Sequence, residues 1–301
     1  MPAARPAEQR FLDPQVLARI SGLELKARTI VEGFLSGLHR SPLKGFSVEF
    51  AEYRQYLPGD DLSTIDWKVF ARTDRHYVKK YEEETNLRAY LFLDVSASMS
   101  YGSGPMTKFE YGSCLAASLA YLMRRQRDSA GLITFDNRVR TLLPPSSRPG
   151  QLRSLLLALD RQEVGTVTDS GPPLHHLADS LDKRGLIVLI SDLLDDPARV
   201  VDGLKHFRFR GSDVLVFQVL DHAELTFPFD RPVTFEDLET GQQVSANPST
   251  VRAQYLAAIE AHIETYRRDL QSAGIDYRLL DTSEPLDLAL LSFLAVRSRR
   301  Q

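Results

Sequence analysis

Asp94, Ser96 and Ser98 stand at alternate positions where an apolar run, Tyr90 to Leu93, stops. A carboxylate followed by two hydroxyls suits a hard cation such as Mg²⁺ or Mn²⁺, which takes oxygen ligands, keeps waters and asks for only one or two carboxylates. The same spacing also suits a serine-rich turn whose hydroxyls bond their own backbone. A second apolar run, Leu186 to Ile190, likewise ends in Ser191-Asp192, and the loop Gly165-Thr166-Val167-Thr168-Asp169-Ser170-Gly171 brings further hydroxyls just ahead of a helical pattern. If the two runs are neighbouring strands, Asp94 and Asp192 lie one or two strand spacings apart at one rim. A divalent ion is then shared among Ser96, Ser98 and a loop threonine, with the carboxylates in direct or water-mediated contact.

Positioning such a rim requires a sheet whose strands end together, and the second half of the chain predicts one. Strand patterns at Ala89–Asp94, Gly131–Phe135, Val139–Leu143, Leu186–Asp192, Val214–Leu220 and Ile275–Leu280 alternate with helical patterns at Phe109–Arg125, Gly150–Asp160, Leu174–Lys183 and Pro197–Phe207. That alternation is the mark of a mostly parallel α/β sheet with helices on both faces. Asp136-Asn137-Arg138 is too short for a crossover, so the strands it joins form an antiparallel pair at the sheet edge. A proline-rich excursion at about 225–248 interrupts the pattern. A long helix follows from Thr250 to about Ser272, with Tyr255, Ile259, Ile263, Tyr266 and Leu270 on one stripe, and a last helix spans Pro285–Val296.

The N-terminal part, residues 1–86, differs in character. Asp13-Pro14 reads as a helix start, with Asp as the cap and Pro in the first turn, and Ser21-Gly22 interrupts the amphipathic pattern that follows. From Phe46 to Asn86 the runs Phe50–Leu57 and Ile65–Phe70 flank a Pro58-Gly59 turn, which predicts a small β unit. The expected division is therefore 1–86, helices and a β-rich subdomain, and 87–301, the sheet domain.

The bulk numbers exclude several classes. A formal net charge of -3 argues against a dedicated nucleic-acid binder. No apolar run approaches the roughly 18 to 20 residues of a membrane span, so direct membrane insertion is not expected. The first ten residues lack an apolar signal segment, and the expected compartment is the cytoplasm. Cys114, the single cysteine, falls in an apolar helical pattern and reads as core. His175 and His176 lack neighbours at metal-ligand spacing and read as surface or packing residues.

The constellation Asp94-x-Ser96-x-Ser98, a later threonine and Asp192 resembles the metal-ion-dependent adhesion site (MIDAS) of von Willebrand factor A domains. The stretch Glu52-Tyr53-Arg54-x-Tyr56-x-Pro58-Gly59-Asp60-Asp61, Ile65-Asp66-Trp67-Lys68, Ala71-Arg72-Thr73 and the Glu82–Thr85 run resemble more specifically the bacterial MoxR-associated family of such domains, in its subgroup without membrane helices. The resemblance implies a Rossmann-like sheet, Mg²⁺ or Mn²⁺ held by Asp94, Ser96, Ser98, Thr168 and Asp192, and protein binding instead of catalysis. Thr166 is the alternative threonine; the family pattern, with its ligand about six residues before an apolar helical position, implies Thr168 through Leu174. The implied partners are a MoxR-type AAA+ ATPase and a client protein awaiting assembly or maturation. Tyr101, Gly102 and Ser103 are expected to rim the site. Arg54, Asp60, Asp61, Asp66 and Trp67 are read as an interlocked structural set holding the β unit.

Two other readings compete. A magnesium phosphohydrolase of haloacid dehalogenase type also puts Asp at one strand end and acids at another, here Asp192, Asp195 and Asp196. That chemistry needs a second acid two residues after the nucleophile, and Ser96 stands there. The third reading is a scaffold with a vestigial metal site.

Overall fold

The computed structural model describes residues 13–40, 53–55, 77–79, 87–165, 171–181 and 184–298. Its centre is a six-stranded sheet built from β3 (Arg88–Asp94), β4 (Ser129–Phe135), β5 (Val139–Ser146), β6 (Leu186–Ser191), β7 (Asp213–Leu220) and β10 (Asp276–Asp281). The spatial order is β5-β4-β3-β6-β7-β10, parallel throughout except for the β4–β5 pair at the edge. Counted within this sheet, the order is 3-2-1-4-5-6, so the winding direction reverses between β3 and β6. Ligands of open α/β sheets bind outside the carboxyl ends of the strands at that reversal. Asp94 closes β3 there, and Asp192 directly follows β6.

Both faces of the sheet are covered, which is why the strands read as unbroken apolar runs. Along β3 the side chains alternate between two cores. Ala89, Leu91 and Leu93 join the layer of α2 (Leu23–Arg40), α3 (Lys108–Arg125), α4 (Gln151–Asp160) and α9 (Asp287–Ser298). Tyr90 and Phe92 join that of α5 (Gly171–Ser180), α6 (Pro197–Phe209) and α8 (Pro248–Ser272). Cys114 is buried in α3, as its pattern predicts.

The chain begins as expected: the Asp13 side chain accepts from the Gln15 N–H at the head of α1 (Pro14–Ala18), and Gly22 breaks the pattern with φ of 85°. Leu17, Ile30, Val31 and Phe34 then bury in the same core as α3. The helical part expected to stand with the β unit in 1–86 therefore shares the sheet domain's core. Of the β unit, β1 (Tyr53–Gln55) pairs antiparallel with β2 (Tyr77–Lys79), a segment outside the two expected strand runs. The expected Ile65–Phe70 strand lies outside the described residues. The excursion at about 225–248 is α7 (His222–Thr226) followed by a hairpin of β8 (Val233–Glu236) and β9 (Gln243–Ala246).

Phe92 is fully buried and meets Phe135 and Phe207 edge-on, with ring centroids 6.5 and 5.6 Å away. Removing it leaves a cavity at the sheet centre, and Phe92→Ala is expected to lower stability by about 3–5 kcal/mol in urea unfolding.

Candidate metal site

The β3 carboxylate is tied down before the chain turns away. Asp94 accepts from the Ser96 N–H through Oδ1 (2.8 Å) and from the Ser191 hydroxyl through Oδ2 (2.5 Å). A short 3₁₀ turn, Ala97–Ser100, follows, closed by the Ser100 hydroxyl on the Ala97 carbonyl. This turn sets the Ser96 and Ser98 hydroxyl oxygens 3.1 Å apart. Asp94, Ser96 and Asp192 are fully buried, and Ser98 is half-buried at the mouth. The sequence expectation that the β3 and β6 ends converge is met by direct pairing of the two strands and by the Ser191–Asp94 bond.

Asp192 is positioned by β7 and α3. The Gln218 amide donates to the Asp192 carbonyl (2.9 Å), and the Tyr277 hydroxyl in turn donates to Gln218 Oε1 (2.5 Å). Leu193 follows with φ of 55°, a conformation costly for a bulky residue. Its N–H donates to the Ser191 hydroxyl and its carbonyl meets the His262 ring.

The main departure from expectation is Lys108, at the first position of α3. Its side chain is shut off from water, and Nζ donates to Asp192 Oδ2 (2.8 Å) and Glu224 Oε1 (2.7 Å). Burial would lower the pKa of this ammonium, but the two carboxylates outweigh it and raise the pKa above its ordinary value. Burial first, and neighbouring Asp192 next, push the Asp94 carboxyl well above its usual range, against the hydrogen bonds from Ser191 and Ser96. Glu224 is also raised, because its burial outweighs the pull of Lys108. The sequence carries little signal for Lys108, since a cation in a helix's first turn opposes the helix dipole.

A second unforeseen residue is Asp221. Another apolar strand, β7, ends in this buried aspartate. It caps α7, accepting from Ala223 N–H, and takes the Ser103 N–H (2.9 Å) and hydroxyl (2.5 Å) and the Thr282 hydroxyl. The rim residues thereby gain definite roles. Ser103 ties the loop to β7, while Tyr101 lies 5.9 Å, ring centroid to ammonium, from Lys108. Gly102 passes so close to Thr107 that an added Cβ would sit 2.7 Å from its Cα.

Of the remaining site residues, Thr166 and Thr168 lie outside the described residues, as do Asp60, Asp61, Asp66 and Trp67; Arg54 lies within β1. The chain leading to Thr166 is fastened to the segment after β3 by the Gly165 N–H on the Val95 carbonyl (2.5 Å). His175 is part-exposed and 3.5 Å from Asp202, consistent with a surface residue. Asp196 caps α6 and the Asp195 carboxylate accepts its N–H, so these acids serve a helix start. With Ser96 hydrogen-bonded to Ser98, the spot where a phosphohydrolase needs its proton donor holds a hydroxyl.

The spacing of the two serine hydroxyls is compatible with a divalent ion. Adjacent ligands on an octahedral ion with metal–oxygen distances of about 2.1 Å stand about 3.0 Å apart, and the two serine oxygens match at 3.1 Å. Among the described residues no group of three or more His, Cys, Asp or Glu side chains could hold a metal ion.

The strand order and the helices on both faces define a Rossmann-like, mostly parallel α/β domain. The family described as "Protein of unknown function DUF58" matches residues 52–265, and the chain belongs to it. "Uncharacterized protein Rv1480" of Mycobacterium tuberculosis is 27% identical over 292 residues, 95% of this chain and 91% of that protein. Among solved structures, BatB from Bacteroides thetaiotaomicron aligns over 71% of this chain and 100% of its own at 16% identity, with a TM-score of 0.48. The SpRpn10 VWA domain aligns over 71% of this chain and 95% of its own at 15% identity, with a TM-score of 0.40. Among the described residues no helix is long and apolar enough to cross a membrane.

Lys108→Met strands the buried Asp192 carboxylate and unpairs part-buried Glu224, and is expected to cost about 3–5 kcal/mol in urea unfolding. Adding Asp192→Asn to that variant should recover part of the loss; no recovery would mean that Lys108 acts through packing alone. Asp221 gives a pH signature. Its carboxyl is buried, which alone would raise it, yet bonds from Ser103, Ala223 and Thr282 hold it below the ordinary 3.8. A depressed folded-state pKa contributes stability above the unfolded value that is lost as pH falls through the folded one. Stability should therefore drop below about pH 4 more steeply in the parent chain than in Asp221→Asn, as acid titration at fixed urea would show.

Proposed function

We propose that the rim at the β3 and β6 ends is a divalent-cation-dependent site for a partner's carboxylate. On this reading the chain is a cytoplasmic protein-interaction module that works with a MoxR-type AAA+ ATPase and presents a client protein for assembly or maturation. The observation that carries it is the meeting of Asp94, Ser96, Ser98 and Asp192 at the point where the sheet reverses its winding. Support for the ATPase partner comes from the resemblance carried by the Glu52–Thr85 signature.

Ser96 and Ser98 would hold the ion through neutral oxygens. Asp94 and Asp192 would reach it directly or through water, and Thr168, or Thr166, would complete the set. When bound, Mg²⁺ or Mn²⁺ supplies a Lewis-acidic position for an Asp or Glu of the partner. Lys108 has a part in this. By engaging one oxygen of Asp192 it removes negative charge from the cluster, so the ion is left incompletely neutralised and attractive to an incoming carboxylate. The surrounding bonds from Ser191, Gln218 and Tyr277 keep both aspartates in place whether or not a partner is bound.

Calorimetric titration with Mn²⁺ should show saturable binding by the parent chain, abolished in Asp94→Ala and strongly weakened in Ser98→Ala, while circular dichroism is unchanged. Affinity capture in Mg²⁺ with parent and Asp94→Ala baits then tests the role. Partners lost with the variant and in chelator support the reading; partners retained in chelator would make the chain a scaffold. Turnover of p-nitrophenyl phosphate that vanishes in Asp94→Ala would restore a phosphohydrolase.

A further inference from the structure

Beyond the metal-side rim lies a cavity of about 400 Å³. One wall belongs to that rim and includes Ser98, Tyr101 and Leu194. The other is built by the excursion and the start of α8, where Phe229, Phe235 and Tyr255 gather around buried Phe227. Their ring centroids lie 5.1, 5.6 and 4.8 Å from it. The β8–β9 hairpin carries Glu236, Asp237 and Glu239 to the lip, and Glu224 also lines the cavity. Lys108 is the one cation among the described lining residues, and its ammonium is already engaged by Asp192 and Glu224.

These features specify an occupant. The volume is far larger than an ion needs, and suits a long side chain. The apolar and aromatic walls favour methylenes and attract a cation to the rings, while the three carboxylates of Glu236, Asp237 and Glu239 favour positive charge at the lip. Arginine combines a three-carbon stem with a planar, permanently charged head able to stack on rings and bond carboxylates two at a time. An aliphatic anchor would satisfy the walls but not the lip.

We propose that this cavity binds an arginine side chain of the protein partner. This rests on the reading of the neighbouring rim as a partner-binding face and deepens it: the chain would recognise an acidic and a basic side chain presented side by side, the acid at the ion and the arginine between Tyr255 and the β8–β9 hairpin. Asp237 shapes the lip, its carboxylate holding the turn through the Glu239 and Thr240 N–H groups. Glu236 and Glu239 supply charge for the guanidinium. The excursion thus becomes the specificity-bearing part of the fold.

The test uses the full chain without metal, labelled at Phe and Tyr rings for NMR, and titrated with N-acetyl-arginine amide. Saturable shifts are expected at Phe229, Phe235 and Tyr255. N-acetyl-citrulline amide, which has nearly the same shape without the charge, should bind about tenfold more weakly, as expected when a ring contact and a rim ion pair are lost. Glu236→Gln with Glu239→Gln should remove most of that preference while leaving citrulline binding unchanged. Citrulline or N-acetyl-norleucine amide binding as tightly as arginine would overturn the proposal, as would arginine shifts that bypass these rings. Mn²⁺ calorimetry on the same samples reports the ion site separately. Loss of the arginine response with Mn²⁺ binding intact counts against the cavity alone, and the converse against the ion site alone.

Discussion

Two carboxylates, Asp94 and Asp192, sit at the ends of adjacent strands with their side chains shut off from water. Charge in that position must be balanced from within, because desolvation of an unpaired buried carboxylate costs several kcal/mol. The protein answers it unequally. Asp192 receives the Lys108 ammonium, whereas among the described residues Asp94 receives hydroxyls and a backbone N–H but no cation. Two residues after Asp94 the Ser96 hydroxyl stands 3.1 Å from that of Ser98, close to the spacing of octahedral neighbours. The sheet order, the Gln218–Tyr277 relay and the strained Leu193 all serve to hold the two aspartates in register.

Much of this was legible in the sequence because parallel strands advertise themselves as apolar runs and stop sharply at polar residues. The six strands of the central sheet, the antiparallel edge pair across Asp136–Arg138 and the meeting of the Asp94 and Asp192 ends all follow from that rule. The same rule applied to Val214–Leu220 points to Asp221, although no hydroxyl pattern follows it. Lys108 had no such signature. Its role arises from α3 crossing the strand ends at close range, a tertiary fact that hydrophobic periodicity does not encode. The β1–β2 pairing was obscured for a related reason: Tyr77–Lys79 lies within a run of basic residues, so its charge masked its strand character.

The excursion shows the opposite case. In sequence it is a proline-rich interruption with no motif, yet its phenylalanines cluster with Tyr255 to raise a wall beside the rim. The sheet brings the Asp94 and Asp192 ends together at its winding reversal, and the excursion raises an aromatic wall next to them. Lys108 and Glu224 join the two, since the ammonium that steadies Asp192 also lines the aromatic cavity.

The most direct measurement of the central claim is a crystal structure grown with Mn²⁺, with data collected for anomalous scattering. The account predicts one strong peak in the cup, about 2.2 Å from both the Ser96 and Ser98 hydroxyl oxygens, with Lys108 still bonded to Asp192. An empty cup at saturating Mn²⁺, with the Lys108 ammonium lying between the two aspartates, would contradict it.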